Sequence, residues 1–406
     1  MRKTQKIKNR PEILAPAGNF SMLITAVESG ADAVYLGIKG LNMRSTAKNF
    51  TITELKKATD YCHKKNVKIY ITVNTIIFEN EIEKVRKILT YAKKYGVDAV
   101  ICWDFSVINI AKEIGLDFHI STQASISNSE SANFFNKLGA TRCVLARECS
   151  LEELKKIKKK TKIGLEVFAH GAMCVSVSGR CFISQFLYGK SANRGDCIQP
   201  CRRAYDSFII DDKEEEKKLI LGNDYVMSPK DLCTLPFLDK LVPYVDSLKI
   251  EGRGKNTEYV KRVVGAYREA IDSIYDGTFT EEFITKKMEE LREVYNRGFS
   301  DGFYMGKPIT EFTNEYGSKS KKRKYTLGRV KNFYKKINVA EIEITANNLK
   351  KGDTIMIIGN KTGLIEQTIE NIVKEDQQRK TAKKGDVIGI KTEKVVRKND
   401  LVFLWK

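Results

Sequence analysis

Gly30-Ala-Asp-Ala-Val34 is the phrase that decides the fold, because it returns as Gly96-Val-Asp-Ala-Val100 and, more loosely, as Gly139-Ala-Thr-Arg-Cys-Val144. Each copy follows a helix-patterned stretch and leads into a short apolar run. Glycine at that point ends a helix in the left-handed conformation, and the chain then drops straight into a strand. Working outward, strands are expected at Ile13–Pro16, Ala33–Gly37, Lys68–Asn74, Ala99–Asp104, Phe118–Gln123, Arg142–Arg147, Leu165–Ala169 and Ser247–Gly252. The first six are apolar throughout rather than alternating, as parallel strands covered by helices are. Between them lie amphipathic stretches such as Glu81–Tyr95 and Leu151–Lys160, with their lysines on the solvent face. Eight such units predict an α/β protein built on a (β/α)8, TIM-barrel-like domain whose functional groups stand at the C-terminal strand ends. No G-x-G-x-x-G follows the first strand, which counts against a doubly wound sheet.

The expected division is a barrel over 1–317 carrying a cysteine-rich insertion at 166–201, a basic linker over 318–324, and a small C-terminal all-β barrel over 325–406. In the last part, strands are expected at Leu327–Val330, Val339–Ile344, Asp353–Ile358, Asp386–Ile390 and Leu401–Trp405, with Lys-Gly-Asp turns at Lys351 and Lys384. Lysine and arginine number 71 against 51 acidic residues, a net charge of +20. Such an excess attracts polyanions, nucleic acid first and an acidic small molecule second. The basic Met1–Arg10 has no apolar signal core behind it, and the longest apolar runs are too short to span a bilayer, so a cytoplasmic protein without membrane contact is expected. Nine cysteines in a reducing compartment point to metal, redox chemistry or simple burial rather than disulfides.

The strongest chemical signal runs from Glu166 to Cys201, EVFAHGAMCVSVSGRCFISQFLYGKSANRGDCIQPC. It holds Cys174, Cys181, Cys197 and Cys201 as C-x6-C-x15-C-x3-C directly after a strand end, with glycines that let the backbone bend around a centre. Four soft thiolates suit zinc or an iron–sulfur cluster. Structural zinc usually pairs two short knuckles and only one short pair is present, which favours iron–sulfur. Cys233 is an alternative fourth ligand, while Cys62, Cys102, Cys143 and Cys149 read as buried hydrophobes.

These residues resemble a family. Glu166-Val-Phe-Ala-His-Gly-Ala-Met-Cys174, followed by Ser178-Gly-Arg-Cys181, is similar to the signature of peptidase family U32, the collagenase-like proteins. The opening Pro11-Glu-Ile-Leu-Ala-Pro-Ala-Gly-Asn, the phrase at Gly30 and Ser247-Leu-Lys-Ile-Glu-Gly-Arg253 resemble other parts of the same family, over roughly residues 11–310, and the tail resembles its small β-domain. Val177 departs from relatives that carry an aromatic there. The resemblance implies two activities. One is oxygen-independent hydroxylation, as in prephenate-dependent formation of 5-hydroxyuridine at the tRNA wobble position, ribosomal-RNA cytidine hydroxylation, or a pair of proteins acting in ubiquinone synthesis. It would place a 4Fe–4S cluster on Cys174, Cys181, Cys197 and Cys201. The older one is collagen-degrading peptidase activity. A third reading is a non-catalytic RNA-binding partner with a structural cluster, working beside a homologous protein.

A protease finds little support in the chain: His63, His119 and His170 are its three histidines, and neither G-x-S-x-G nor H-E-x-x-H occurs. His170 beside Cys174 would be a thiolate–imidazole pair, but a cysteine committed to a cluster is no free nucleophile. The strand ends instead offer a polar ring for an anionic substrate such as prephenate: Arg44, Asn74, Gln123, Arg147, Glu166, His170, Lys249, Glu251 and Arg253. Arg44, Arg147 and Arg253 are the expected carboxylate clamps, with Asn74 and Gln123 beside them. His170, Glu166, Lys249 and Glu251 are the catalytic candidates, the first two as proton carriers. The plainer alternative makes the charges of Lys249–Arg253 a structural ion-pair network, and Glu12 is expected at the stability face of the barrel.

Overall fold

Eight apolar runs pair in chain order, each parallel to the next: β1 (Glu12–Ala17), β2 (Ala33–Gly37), β3 (Lys68–Thr72), β4 (Ala99–Cys102), β5 (Phe118–Ile120), β6 (Arg142–Val144), β7 (Gly164–Gly171) and β8 (Ser247–Ile250). β8 pairs with both β7 and β1, so the sheet closes into the expected (β/α)8 barrel. This computed structural model describes residues 10–45, 47–205, 209–212, 217–220, 227–306 and 311–406; the basic N-terminal residues 1–9 and Lys307-Pro308 lie outside the described residues. Among those described, no helix is long and apolar enough to cross a membrane.

The repeated phrase explains itself in the structure. Gly30, Gly96 and Gly139 have φ of 92°, 79° and 101°, the left-handed conformation that ends each helix. The aspartate two residues on then caps the neighbouring strand: Asp32 accepts from the Ile13 N–H and Asp98 from the Ile69 N–H, both at 2.8 Å. Asp246 does the same for Leu165 at 2.8 Å, ahead of β8. Each carboxylate satisfies a backbone donor that the ladder leaves open at the barrel's lower rim.

Apolar side chains fill two shells. Leu14, Ala33, Tyr35, Tyr70, Ala99 and Ile101 form a small cluster inside the barrel. The larger core lies between strands and helices and includes the fully buried Tyr259 and Tyr267 of the long helix Thr257–Asp276. Between β7 and β8 the chain adds Asp231–Cys233, antiparallel to the end of β7.

The tail is all-β, as expected, with its own apolar core. Eight of its strands form an antiparallel sheet in the order Gly363–Thr368, Thr354–Gly359, Leu401–Trp405, Lys324–Tyr334, Val339–Ile344, Val387–Lys391, Ile372–Lys374 and Gln377–Arg379, and Leu349–Lys350 pairs separately with Thr381–Ala382. The two end strands do not pair with each other among the described residues, so backbone ladders do not close it into a barrel. Leu364, Met356 and Trp405 join the barrel's outer core, and Glu366 meets Lys261 at 3.1 Å and Arg262 at 2.6 Å. The basic stretch 318–324 is held in place: Lys322 pairs with Glu293 at 2.6 Å and Lys324 with Glu258 at 3.0 Å.

Candidate functional site at the barrel mouth

The chain following β7 folds back across the C-terminal end of the barrel. Arg194 fixes it with a two-pronged contact to Glu81, 2.8 Å from one carboxylate oxygen, and Arg202 donates to the Pro229 carbonyl at 2.6 Å and to Met173. Gly195 lies against the β2 loop, where a Cβ would stand 2.3 Å from the Asn42 carbonyl oxygen, and Ser45 donates to Asp196 beside it. Only glycine permits that approach.

Under this strap is a cavity of about 140 Å³, and Cys174, Cys181, Cys197 and Cys201 all line it. Cys201 is close enough to feel the other three electrostatically; burial raises its thiol, and neighbouring Arg202 opposes the rise. The Ile183 N–H donates to the Cys181 sulfur at 3.4 Å and the Ser184 hydroxyl to the Cys197 sulfur at 3.9 Å. Among the described residues no three His, Cys, Asp or Glu side chains close on one point as a single metal ion requires. Four thiols lining one cavity are the soft donor set that an iron–sulfur cluster or zinc takes. Cys233 is not among them. It lies on the far side of its strand, 3.7 Å from the Met288 sulfur and 3.8 Å from the Tyr267 hydroxyl, and burial pushes its thiol up to about 11. Cys233 thus lies outside the cavity that the other four cysteines line.

The same cavity carries the cations Arg44, Arg147, Arg202, Lys249 and Arg253, against one lining carboxylate, Glu251, among the described residues. Arg44 pairs with Glu251 at 3.2 Å. Arg147 donates to the Ala172 carbonyl at 2.6 Å and lies 4.0 Å over the Phe168 ring. Arg253 donates to the Thr72 hydroxyl at 2.8 Å and is 5% exposed, and burial pushes its guanidinium down to about 10. Neither Arg147 nor Arg253 has a carboxylate partner among the described residues. A buried cation without one is costly unless an anion arrives. Asn74 accepts from the Met43 N–H at 3.2 Å, and Gln123 accepts from Ser121, so both are in the lining with one polar group already engaged.

Two catalytic candidates stand elsewhere. Glu166 is fully buried below the cavity, where Lys249 (2.8 Å) and Arg142 (3.2 Å) hold it between them. Burial favours its neutral acid, yet the two cations outweigh that and hold the carboxyl down to about 2. Arg142 continues to Glu12 at 2.5 Å, and Tyr70 donates to Glu12 at 2.9 Å. For Glu166 and Lys249 the plainer ion-pair reading holds, although the lysine's upper side still lines the cavity. His170 is turned out of the barrel, because the β7–β8 register slips by one residue between Lys249 and Ile250. One residue of slip exchanges the two faces of a strand. Its ring packs against Tyr259, Tyr267 and Phe299, and burial pushes it down to about 3. No histidine lines the cavity among the described residues. Sequence reasoning missed Arg202 and Arg142; the C-terminal position of Cys201-Arg202 was the available signal for the first, and nothing marked the second.

Comparison with known proteins gives a match to the model of Peptidase family U32 over residues 18–314. An uncharacterized protease of Methanocaldococcus jannaschii is 44% identical, covering 97% of this chain and 98% of that one. A protein named collagenase from Porphyromonas gingivalis is 40% identical, covering 97% of each. The tRNA hydroxylation protein P1 of Bacillus subtilis is 36% identical, covering 91% of this chain and 88% of that one.

Proposed function

The chain belongs to peptidase family U32, and on that premise we propose that it is an iron–sulfur enzyme of RNA modification, hydroxylating the wobble uridine of tRNA to 5-hydroxyuridine with prephenate as hydroxyl donor. The observation that carries this reading is the shared cavity, lined by four thiols and by two arginines without carboxylate partners among the described residues, the half-buried Arg147 and the buried Arg253. Cys174, Cys181, Cys197 and Cys201 would hold a 4Fe–4S cluster, which supplies electron transfer when bound. Arg253 and Arg147 would bind the two carboxylates of the donor, and Arg44 would be released to the ligand or kept by Glu251. Tyr35, whose hydroxyl donates to the Ile250 carbonyl at 2.9 Å, walls the cavity beside Lys249 and Arg253 and excludes water from them. The hydroxylation proteins among the relatives support the RNA substrate, as does the +20 charge.

The test is a host strain without its own wobble-uridine hydroxylation, complemented by this chain and read by mass spectrometry of tRNA nucleosides. The expected result is 5-hydroxyuridine with the wild type and none with Cys174→Ala.

A second reading, a collagenase-like peptidase, is favoured by the name of the Porphyromonas gingivalis relative. It lacks a thiolate–imidazole pair, since His170 points away from Cys174 and is held neutral by burial. Gelatin cleavage that survives chelation of iron would support it.

A further inference from the structure

A second, wider cleft opens beside the mouth, about 980 Å³ in volume, between the barrel and the C-terminal sheet. It shares Arg44, Cys197 and Glu251 with the cysteine-lined cavity, so the two are continuous. Such a volume is at the upper end for a small-ligand site and far exceeds the inner cavity. Its cations are of two kinds. Lys322, Lys324 and Arg297 are already paired with Glu293, Glu258 and Asp231. Lys255 and Arg323 have no carboxylate partner among the described residues; the Lys255 ammonium lies 3.2 Å from the centre of the Tyr295 ring. Two further aromatic groups line the cleft. Tyr316 is 59% exposed, with Arg203 stacked 5.5 Å from its ring, and the buried Trp405 has an indole N–H without an acceptor.

Unpaired cations beside an exposed aromatic ring, here Tyr316, are what a single strand of nucleic acid uses: phosphates meet the cations and an unstacked base meets the ring. We propose that this cleft seats a single-stranded RNA segment, its phosphates on Lys255 and Arg323, so that the base to be modified reaches past the Arg44–Glu251 pair into the cysteine-lined cavity. The C-terminal sheet thereby forms one wall of the substrate channel, beside Lys322, Arg323 and Lys324. This rests on the RNA reading above and specifies where the substrate lies.

The test uses the full chain and a fluorescein-labelled RNA stem-loop with a uridine-bearing loop, beside a fully paired hairpin of equal length. The double variant Lys255→Ala/Arg323→Ala is expected to bind the stem-loop roughly tenfold more weakly, and its log–log salt slope should shrink by about 1.4, the share of two single-strand phosphates. Tyr316→Ala should weaken binding by roughly tenfold through lost stacking. Arg323→Glu, on an exposed side chain, repeats the test without touching the core. The control Lys94→Ala/Lys137→Ala, at helix ends on the opposite face, should leave binding unchanged. Equal weakening by the control, or equal binding by the cleft variants, overturns the cleft assignment while leaving an RNA enzyme. A wild-type chain that binds neither RNA but does bind gelatin overturns the RNA reading itself.

Discussion

The two ends of the barrel use the same residue types to opposite purposes. At the lower end Glu12, Arg142, Glu166 and Lys249 form an alternating ladder in which every charge has a partner within 3.2 Å. At the mouth the half-buried Arg147 and the buried Arg253 have carbonyl or hydroxyl acceptors only among the described residues, beside four thiols that share one cavity. A satisfied ladder contributes to a unique closed barrel. An unsatisfied cluster costs stability and waits for an anion or a cluster, which is the mark of a site.

Breaking the mouth should have the largest consequence. Cys174→Ala, Cys181→Ala, Cys197→Ala and Cys201→Ala are each expected to lose bound iron and lower tRNA hydroxylation by more than ~100-fold, measured by metal analysis and nucleoside mass spectrometry. Cys233→Ala should retain both and cost only about 1–2 kcal/mol of packing, read from denaturant unfolding.

Breaking the ladder should act on stability instead. Glu166→Gln leaves Lys249 without a carboxylate and Arg142 with Glu12 alone, and is expected to destabilise the barrel by about 3–5 kcal/mol in a urea titration. Arg253→Met sharpens the contrast, because it removes a buried charge with no carboxylate partner. We expect its unfolding midpoint to be unchanged or higher, while KM for the carboxylated donor rises by roughly ten- to hundredfold in steady-state assays. A midpoint lowered as far as that of Glu166→Gln would place Arg253 among the structural groups.

The smallest effect concerns pH. Burial holds the imidazoles of His119 and His170 at about 3, below their ordinary value. The folded chain therefore keeps both neutral where the unfolded chain takes up protons below about pH 6.5. Their stabilisation is full above that pH and is lost as pH falls from there toward 3, by about 1.4 kcal/mol per pH unit for each group. His170→Phe should reduce the slope of unfolding free energy between pH 5 and 6 by about one proton.

The barrel was legible because its strands are continuous apolar runs and because glycine and aspartate recur at fixed places around them. The tail was less so: Gly363–Thr368, Ile372–Lys374 and Gln377–Arg379 are short, with at most two consecutive apolar side chains (Leu364-Ile365 and Ile372-Val373) or none, and escape a hydrophobic reading. At the site, the rule that strand ends carry function placed Arg44, Asn74, Gln123, Arg147, Glu251 and Arg253 around one cavity. It failed for His170 because a one-residue slip between β7 and β8 leaves no trace in composition. Arg202 escaped because it ends a three-residue 3-10 turn, Pro200–Arg202, where only tertiary contacts turn its side chain to the Met173 and Pro229 carbonyls. Cys233 and Cys201 are alike as letters, and only the strand's face separates them.

The most direct test of the mouth as a redox site is the iron and acid-labile sulfide content of the anaerobically purified chain. About four of each per chain is the result expected for a cluster on Cys174, Cys181, Cys197 and Cys201. Stoichiometric zinc, or neither iron nor sulfide, would contradict it and return the peptidase reading to the front.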